Sequence, residues 1–220
     1  MKATREQFNQ LVRDLVGPLT EPDPMLFDRI EAAYSSPMRR YHTLEHIGWG
    51  LKRIDDMADE DRTRGAKFQS REWDLIRWAF WFHDWVSAGE PTDEEVSGNE
   101  ASRAAQAAGL GYVECATVAR LVVATAHDRV PLRHDEAIIC DADLSILGAN
   151  EEAFDRYEQL VREEWAHVPD LLFATARAVI LRRFAARPWI YMTDYGRTRW
   201  ERKARANLGR SLAKLGEATK

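Results

Sequence analysis

The chain has 220 residues, 45% of them hydrophobic and 30% charged, with a formal net charge of -5. That length favours one substantial core, a single domain over residues 1–220, and the balance is that of a soluble globular protein. No nucleic-acid binding driven by bulk charge is expected, which leaves a local basic patch open; no run nears the roughly 20 apolar residues of a membrane span, and the N-terminus lacks a signal-like apolar core, so a cytoplasmic location is expected.

Thr4, with Gln7 at the capping-box position, opens a first helix whose inner face is Phe8, Leu11, Val12 and Leu15, and Gly17-Pro18 stops it. Asp23-Pro24 starts a second, with Phe27, Ile30, Ala33 and Tyr34 inward, which ends at Ser35-Ser36-Pro37. A third begins near Thr43 and continues through Ile47, Leu51 and Ile54. Charge and glycine mark 60–70 as a loop. Ser70 then caps a helix to His83, whose aromatic density (Trp78, Phe80, Trp81, Phe82 and Trp85) places it deep in the core.

A loop over 86–92 leads to the capping-box pattern Thr92-Asp93-Glu94-Glu95 and an alanine-rich helix stopped by Gly109. Residues 112–126 form the next helix, ending on His127. After a polar loop come helices over 136–147, from the Asn150 cap through Trp165, from Pro169 through Phe184, and from 194 to 215. The last carries a basic stretch, which reads as a solvated face. No strand alternation or hairpin dipeptide is present, so the expected fold is all-α with nine or ten helices. Cys115 and Cys140 lie among apolar residues, without disulfide or metal spacing, and read as buried thiols.

Three clusters carry chemistry. His42 and His46 stand one helical turn apart, His83-Asp84 ends the aromatic helix, and Asp141-Ala142-Asp143 lies in a later one. Singly, each reads as a satisfied polar group or a cap. Together they make a nitrogen and oxygen ligand set for a divalent ion, and Mn, Fe, Co, Ni, Zn and Mg all suit it. Arg39 and Arg40, beside the histidine turn, could clamp a phosphate or could simply face solvent.

The order His, His-Asp, Asp over separate helices resembles the HD superfamily of metal-dependent phosphohydrolases. Tyr41-His42-Thr43-Leu44-Glu45-His46 and Ala142-Asp143-Leu144-Ser145 also look like motifs of cyclic-nucleotide phosphodiesterases in that superfamily. The wider set, Arg39-Arg40-Tyr41-His42-Thr43-Leu44-Glu45-His46-Ile47, Phe82-His83-Asp84, Asn99-Glu100-Ala101-Ser102 and Asp141-Ala142-Asp143-Leu144-Ser145-Ile146-Leu147-Gly148, is similar to a group of small bacterial proteins labelled predicted HD phosphohydrolases.

The resemblance implies a single helical HD domain in which His46, His83, Asp84 and Asp143 hold the metal and His42 protonates the leaving oxygen. Asp84 could bridge a second ion. His127 would bind that ion or the substrate phosphate, Arg39 would contact phosphate, and Asn99-Glu100 could orient a ligand residue. His134 reads as a surface residue and His167 as structural. The implied reaction is hydrolysis of a phosphate ester or anhydride of a nucleotide or small phosphorylated metabolite. A silent metal- and nucleotide-binding regulatory module is the alternative. A di-iron oxygenase fits less well, because His127 and His134 sit in one loop. A homo-oligomer is compatible with the sequence.

Overall fold

The computed structural model describes residues 1–218. Among them are eleven α-helices, one 3₁₀ turn and no strand, the all-α architecture expected from the helical periodicity. None of these helices is long and apolar enough to cross a membrane. The chain divides into two compact units, Met1–Ala142 and a second that begins at Asp143.

In the first unit, α1 (Arg5–Val16) starts on the reciprocal cap expected of Thr4 and Gln7, with Gln7 N donating to Thr4 Oγ1 at 3.4 Å and Thr4 N to Gln7 Oε1 at 3.0 Å. α2 (Pro24–Tyr34) follows the Asp23 cap, whose Oδ1 accepts from Met25 N. α3 (Leu44–Thr63) runs one turn further than its charged end suggests. Thr63 Oγ1 returns to Glu60 O, and the Asp61 carboxylate accepts from Lys67 N and Phe68 N, so the polar groups of this end are satisfied locally. α4 (Ser70–Phe82) is capped by Gln69 rather than by Ser70, with Gln69 N donating to Glu72 Oε2. α5 (Asp93–Ala108), α6 (Tyr112–Ala124) and α7 (His134–Asp143) complete the series.

α4 is the axis of this unit. It packs against α1, α3, α5 and α6, and Trp73, Ile76, Trp78, Phe80, Trp81 and Phe82 are all buried, so most of its circumference is apolar, while Asp74 and Arg77 pair at 2.8 Å on its remaining polar face. Trp78 Nε1 donates to Ala101 O and Tyr34 Oη to Trp81 O, so the polar edges of these rings cost no unpaired donor in the core. Gly50 of α3 faces Phe80 so closely that a Cβ there would overlap the ring. This bare surface lets α3 lie close along α4, and both histidine clusters stand at the ends of these two helices.

The second unit opens with the 3₁₀ turn Leu144–Gly148, followed by α8 (Glu151–Glu164), α9 (Asp170–Ala185), α10 (Asp194–Arg199) and α11 (Glu201–Ala218). The 3₁₀ turn is where the expected helix over 136–147 changes form. Tyr191 Oη holds Leu144 O at 2.9 Å, and Asn207 Nδ2 holds Leu147 O and Ala149 O at 2.8 and 3.0 Å. The expected last helix divides at Trp200, giving the eleventh helix. Trp200 is buried against Tyr191 and Tyr195, and it lies over Gly148, where a Cβ would overlap the Trp200 backbone. Packing overrides local helical propensity there.

Candidate metal centre

Thr43 caps α3, its side chain accepting from Glu45 N, so His46 lies in the first helical turn while His42 stands just outside the helix. The two imidazoles are therefore not successive residues of one helical face. Tyr41 packs against both, its ring centroid 5.0 Å from His42 and 4.9 Å from His46, and the two imidazole centroids are 5.8 Å apart. His46 is buried and His42 half-buried.

At the far end of α4, His83 takes the C-cap position and is buried. Its Nδ1 lies 2.9 Å from Phe80 O. A carbonyl can only accept, so Nδ1 carries the proton, and in the neutral ring Nε2 presents a lone pair. That lone pair points to a crowded spot. His83 Nε2 is 3.1 Å from His46 Nε2 and 3.0 Å from Asp84 Oδ2, and His46 Nε2 is 3.3 Å from the same oxygen. Asp84 Oδ2 is buried, and no hydrogen bond meets it.

Three mainly electron-donating atoms so close together suit a cation. Bonds of about 2.0–2.2 Å at octahedral or tetrahedral angles set donor atoms roughly 2.8–3.6 Å apart, which brackets the observed triangle. These three residues are also the one group among the described residues with this donor spacing. Burial pushes the Asp84 carboxyl up, but the neighbouring imidazoles of His83, His42 and His46 outweigh it and hold the group well below the usual carboxylate range. Asp84 is therefore an anion where the site needs one.

The turn after Asp84 is tied to α5. Asp93 Oδ2 accepts from the backbone N–H groups of Ala88, Gly89 and Glu90, and Ser97 Oγ accepts from Val86 N. Thr92 takes the N-cap position, yet its side chain makes no capping bond, so the expected capping box is replaced by this Asp93 nest. The consequence is that Glu94, half-buried in the first turn of α5, comes under the influence of both Asp84 and His127. Its carboxyl is pushed up by burial and, among lesser causes, by the Asp84 charge, and His127 draws it back. Sequence reasoning assigned Glu94 only to a helix cap. The available signal was an acidic triplet, Asp93-Glu94-Glu95, longer than a cap requires.

α6 ends at Ala124, two residues earlier than expected, because Thr125 Oγ1 turns back to Val122 O at 2.7 Å. His127 follows in the left-handed region, with φ of +53°, which is uncommon for a residue with a Cβ. Its loop is closed by Glu136, fully buried, whose carboxylate takes Arg120, Arg129 and Leu132 N at 2.9–3.0 Å. Despite burial, these donors hold Glu136 down at about 2.

Comparison with protein-family models, with curated proteins and with solved structures returns no match. The functional reading therefore rests on the site itself and on the sequence motifs.

Of the other residues singled out in the sequence, Asp143 ends α7 and opens the second unit, at the anchored 3₁₀ turn. Arg39 donates from Nη1 to His42 O at 3.1 Å and from Nη2 to Trp85 O at 3.0 Å. Arg40 is exposed. Glu100 pairs with Arg29 and Arg103 at 2.9 and 2.6 Å, and Asn99 is exposed. His134 is exposed at the start of α7 with its ring against Phe68, and His167 is exposed beside Trp165.

Proposed function

We propose that the chain is a metal-dependent phosphohydrolase that cleaves a phosphate ester or anhydride of a nucleotide or small phosphorylated metabolite. The observation that carries this reading is the triangle of His46 Nε2, His83 Nε2 and Asp84 Oδ2, with sides of 3.0–3.3 Å and the His83 lone pair directed into it. The motifs that resemble HD phosphohydrolases support the same chemistry.

In this reading His46, His83 and Asp84 would hold one divalent cation, Mn, Mg, Zn, Fe, Co or Ni, a second would share Asp84, and Asp143 is the further ligand that the motif resemblance implies. Such a cation supplies Lewis acidity for water and offsets the negative charge that develops on the phosphoryl group. The protein's own groups do the rest. His83 is kept in one tautomer by the Phe80 carbonyl, so its donor atom needs no proton transfer before binding. Asp84 stays ionised. His42, outside the helix and half-buried beside Tyr41, hands its proton to the leaving oxygen as the phosphorus–oxygen bond breaks and the bond from water forms. His127 binds the second ion or the substrate phosphate, and the charge of Glu94 acts on Asp84.

The test is metal analysis of the purified protein coupled to phosphate release from a panel of phosphomonoesters, nucleotides and cyclic nucleotides, with His83→Ala as the control. The variant should lose both metal and activity. No release from any member of the panel by metal-loaded protein would overturn the reading.

A further inference from the structure

We propose that Arg39 is a positioning residue: its guanidinium ties the turn that carries His42 to the turn that follows His83 and Asp84, and so sets how the two donor-bearing segments approach. The consequence for metal rests on the reading above, but the tie itself is defined without any ion.

Its two hydrogen bonds go to backbone carbonyls on separate segments. Nη1 meets His42 O just before the Thr43 cap, and Nη2 meets Trp85 O just past the end of α4. Trp85 O follows the C-terminal end of α4 and His42 O precedes the N-cap of α3, so both are backbone acceptors outside the helical ladders, to be satisfied by other groups. Arg39 satisfies both with one rigid plane.

The plane is itself held. The guanidinium carbon lies 5.0 Å from the centroid of the Tyr34 ring, and Tyr34 is buried with its hydroxyl on Trp81 O in the last turn of α4. A chain of contacts therefore runs from α2 through Arg39 to the margins of both α3 and α4. Lysine could not reproduce it, because one ammonium on a flexible stem cannot present two coplanar donors to carbonyls on different segments. A phosphate clamp is the role first suggested by an arginine beside a histidine turn. With two donors committed to backbone, the guanidinium is braced rather than free to follow a substrate.

The experiment compares Arg39→Lys and Arg39→Ala with the parent chain by histidine ring NMR of metal-free protein, by Mn²⁺ titration calorimetry and by titration with inorganic phosphate. Positioning predicts that the ring resonances of His42, His46 and His83 move in both variants while those of His134 and His167 stay in place, which also reports that the fold is intact. Mn²⁺ affinity should fall about tenfold to a hundredfold, as when a partner that orients a metal ligand is removed, and lysine should not restore it. Unmoved His42, His46 and His83 resonances in a folded variant overturn the proposal, and if phosphate affinity is lost alongside, Arg39 belongs to the substrate instead. Should the parent chain bind no Mn²⁺, the metal reading fails while the ring resonances still decide the role of Arg39.

Discussion

The Nε2 atoms of His46 and His83 face each other at 3.1 Å although 37 positions separate the two residues. One stands in the first turn of α3 and the other at the end of α4, so their meeting depends on how those helices lie together. Gly50 and Phe80 govern that approach. The Phe80 ring occupies the space a side chain at Gly50 would need, and the Phe80 carbonyl orients His83.

This relationship separates the roles of the histidines. His46→Ala and His83→Ala should each abolish Mn²⁺ binding in calorimetry. His42→Ala should leave the ion bound and slow turnover by about 10²–10⁴, the usual contribution of a general acid. Equal loss of metal in all three variants would put His42 among the ligands and remove the assigned proton donor.

Gly50→Ala should destabilise the protein by roughly 1–3 kcal/mol, since the added methyl must displace a buried aromatic ring. Urea denaturation measures the loss. Phe80→Leu in the Gly50→Ala background should recover part of it by yielding space, and an unchanged midpoint for Gly50→Ala alone would show that α3 and α4 are not held at this contact.

Glu136 links stability to pH. Its carboxyl, about 2 in the folded protein against an ordinary value near 4.5, is depressed. The stability it contributes is therefore fully present above the ordinary value and is lost as pH falls from about 4.5 towards 2. The shift corresponds to at most about 3 kcal/mol. Urea midpoints of the parent chain and Glu136→Gln should differ clearly at pH 7 and converge towards pH 3. A gap that stays constant across that range would mean that shape, not charge, closes the loop before α7.

Glu94→Gln tests the carboxylate that sequence reading left in a helix cap. Removing a negative charge that acts on Asp84 should weaken Mn²⁺ binding about threefold to tenfold, an effect that shrinks in high salt because Glu94 is only half-buried. The melting temperature of the metal-free chain should stay within a degree or two. Unaltered Mn²⁺ affinity at low salt would place Glu94 outside the working field of the site.

Sequence by itself determined the helices and the chemistry of the donors. Apolar spacing of 3.6 residues and the caps at Thr4, Asp23, Thr43 and Asn150 are local properties, formed by side chains within a turn or two of the backbone they serve. The tertiary structure alone decided what meets what. Trp200 breaks a helix because Gly148, 52 positions earlier, leaves room for it, and Arg39 bonds to Trp85 O across 46 positions. Glu94 reaches the field of Asp84 because Asp93 gathers a loop onto α5. Periodicity cannot encode such encounters, since they depend on the close approach of helices distant in the chain, where one missing side chain or one planar cation sets the spacing.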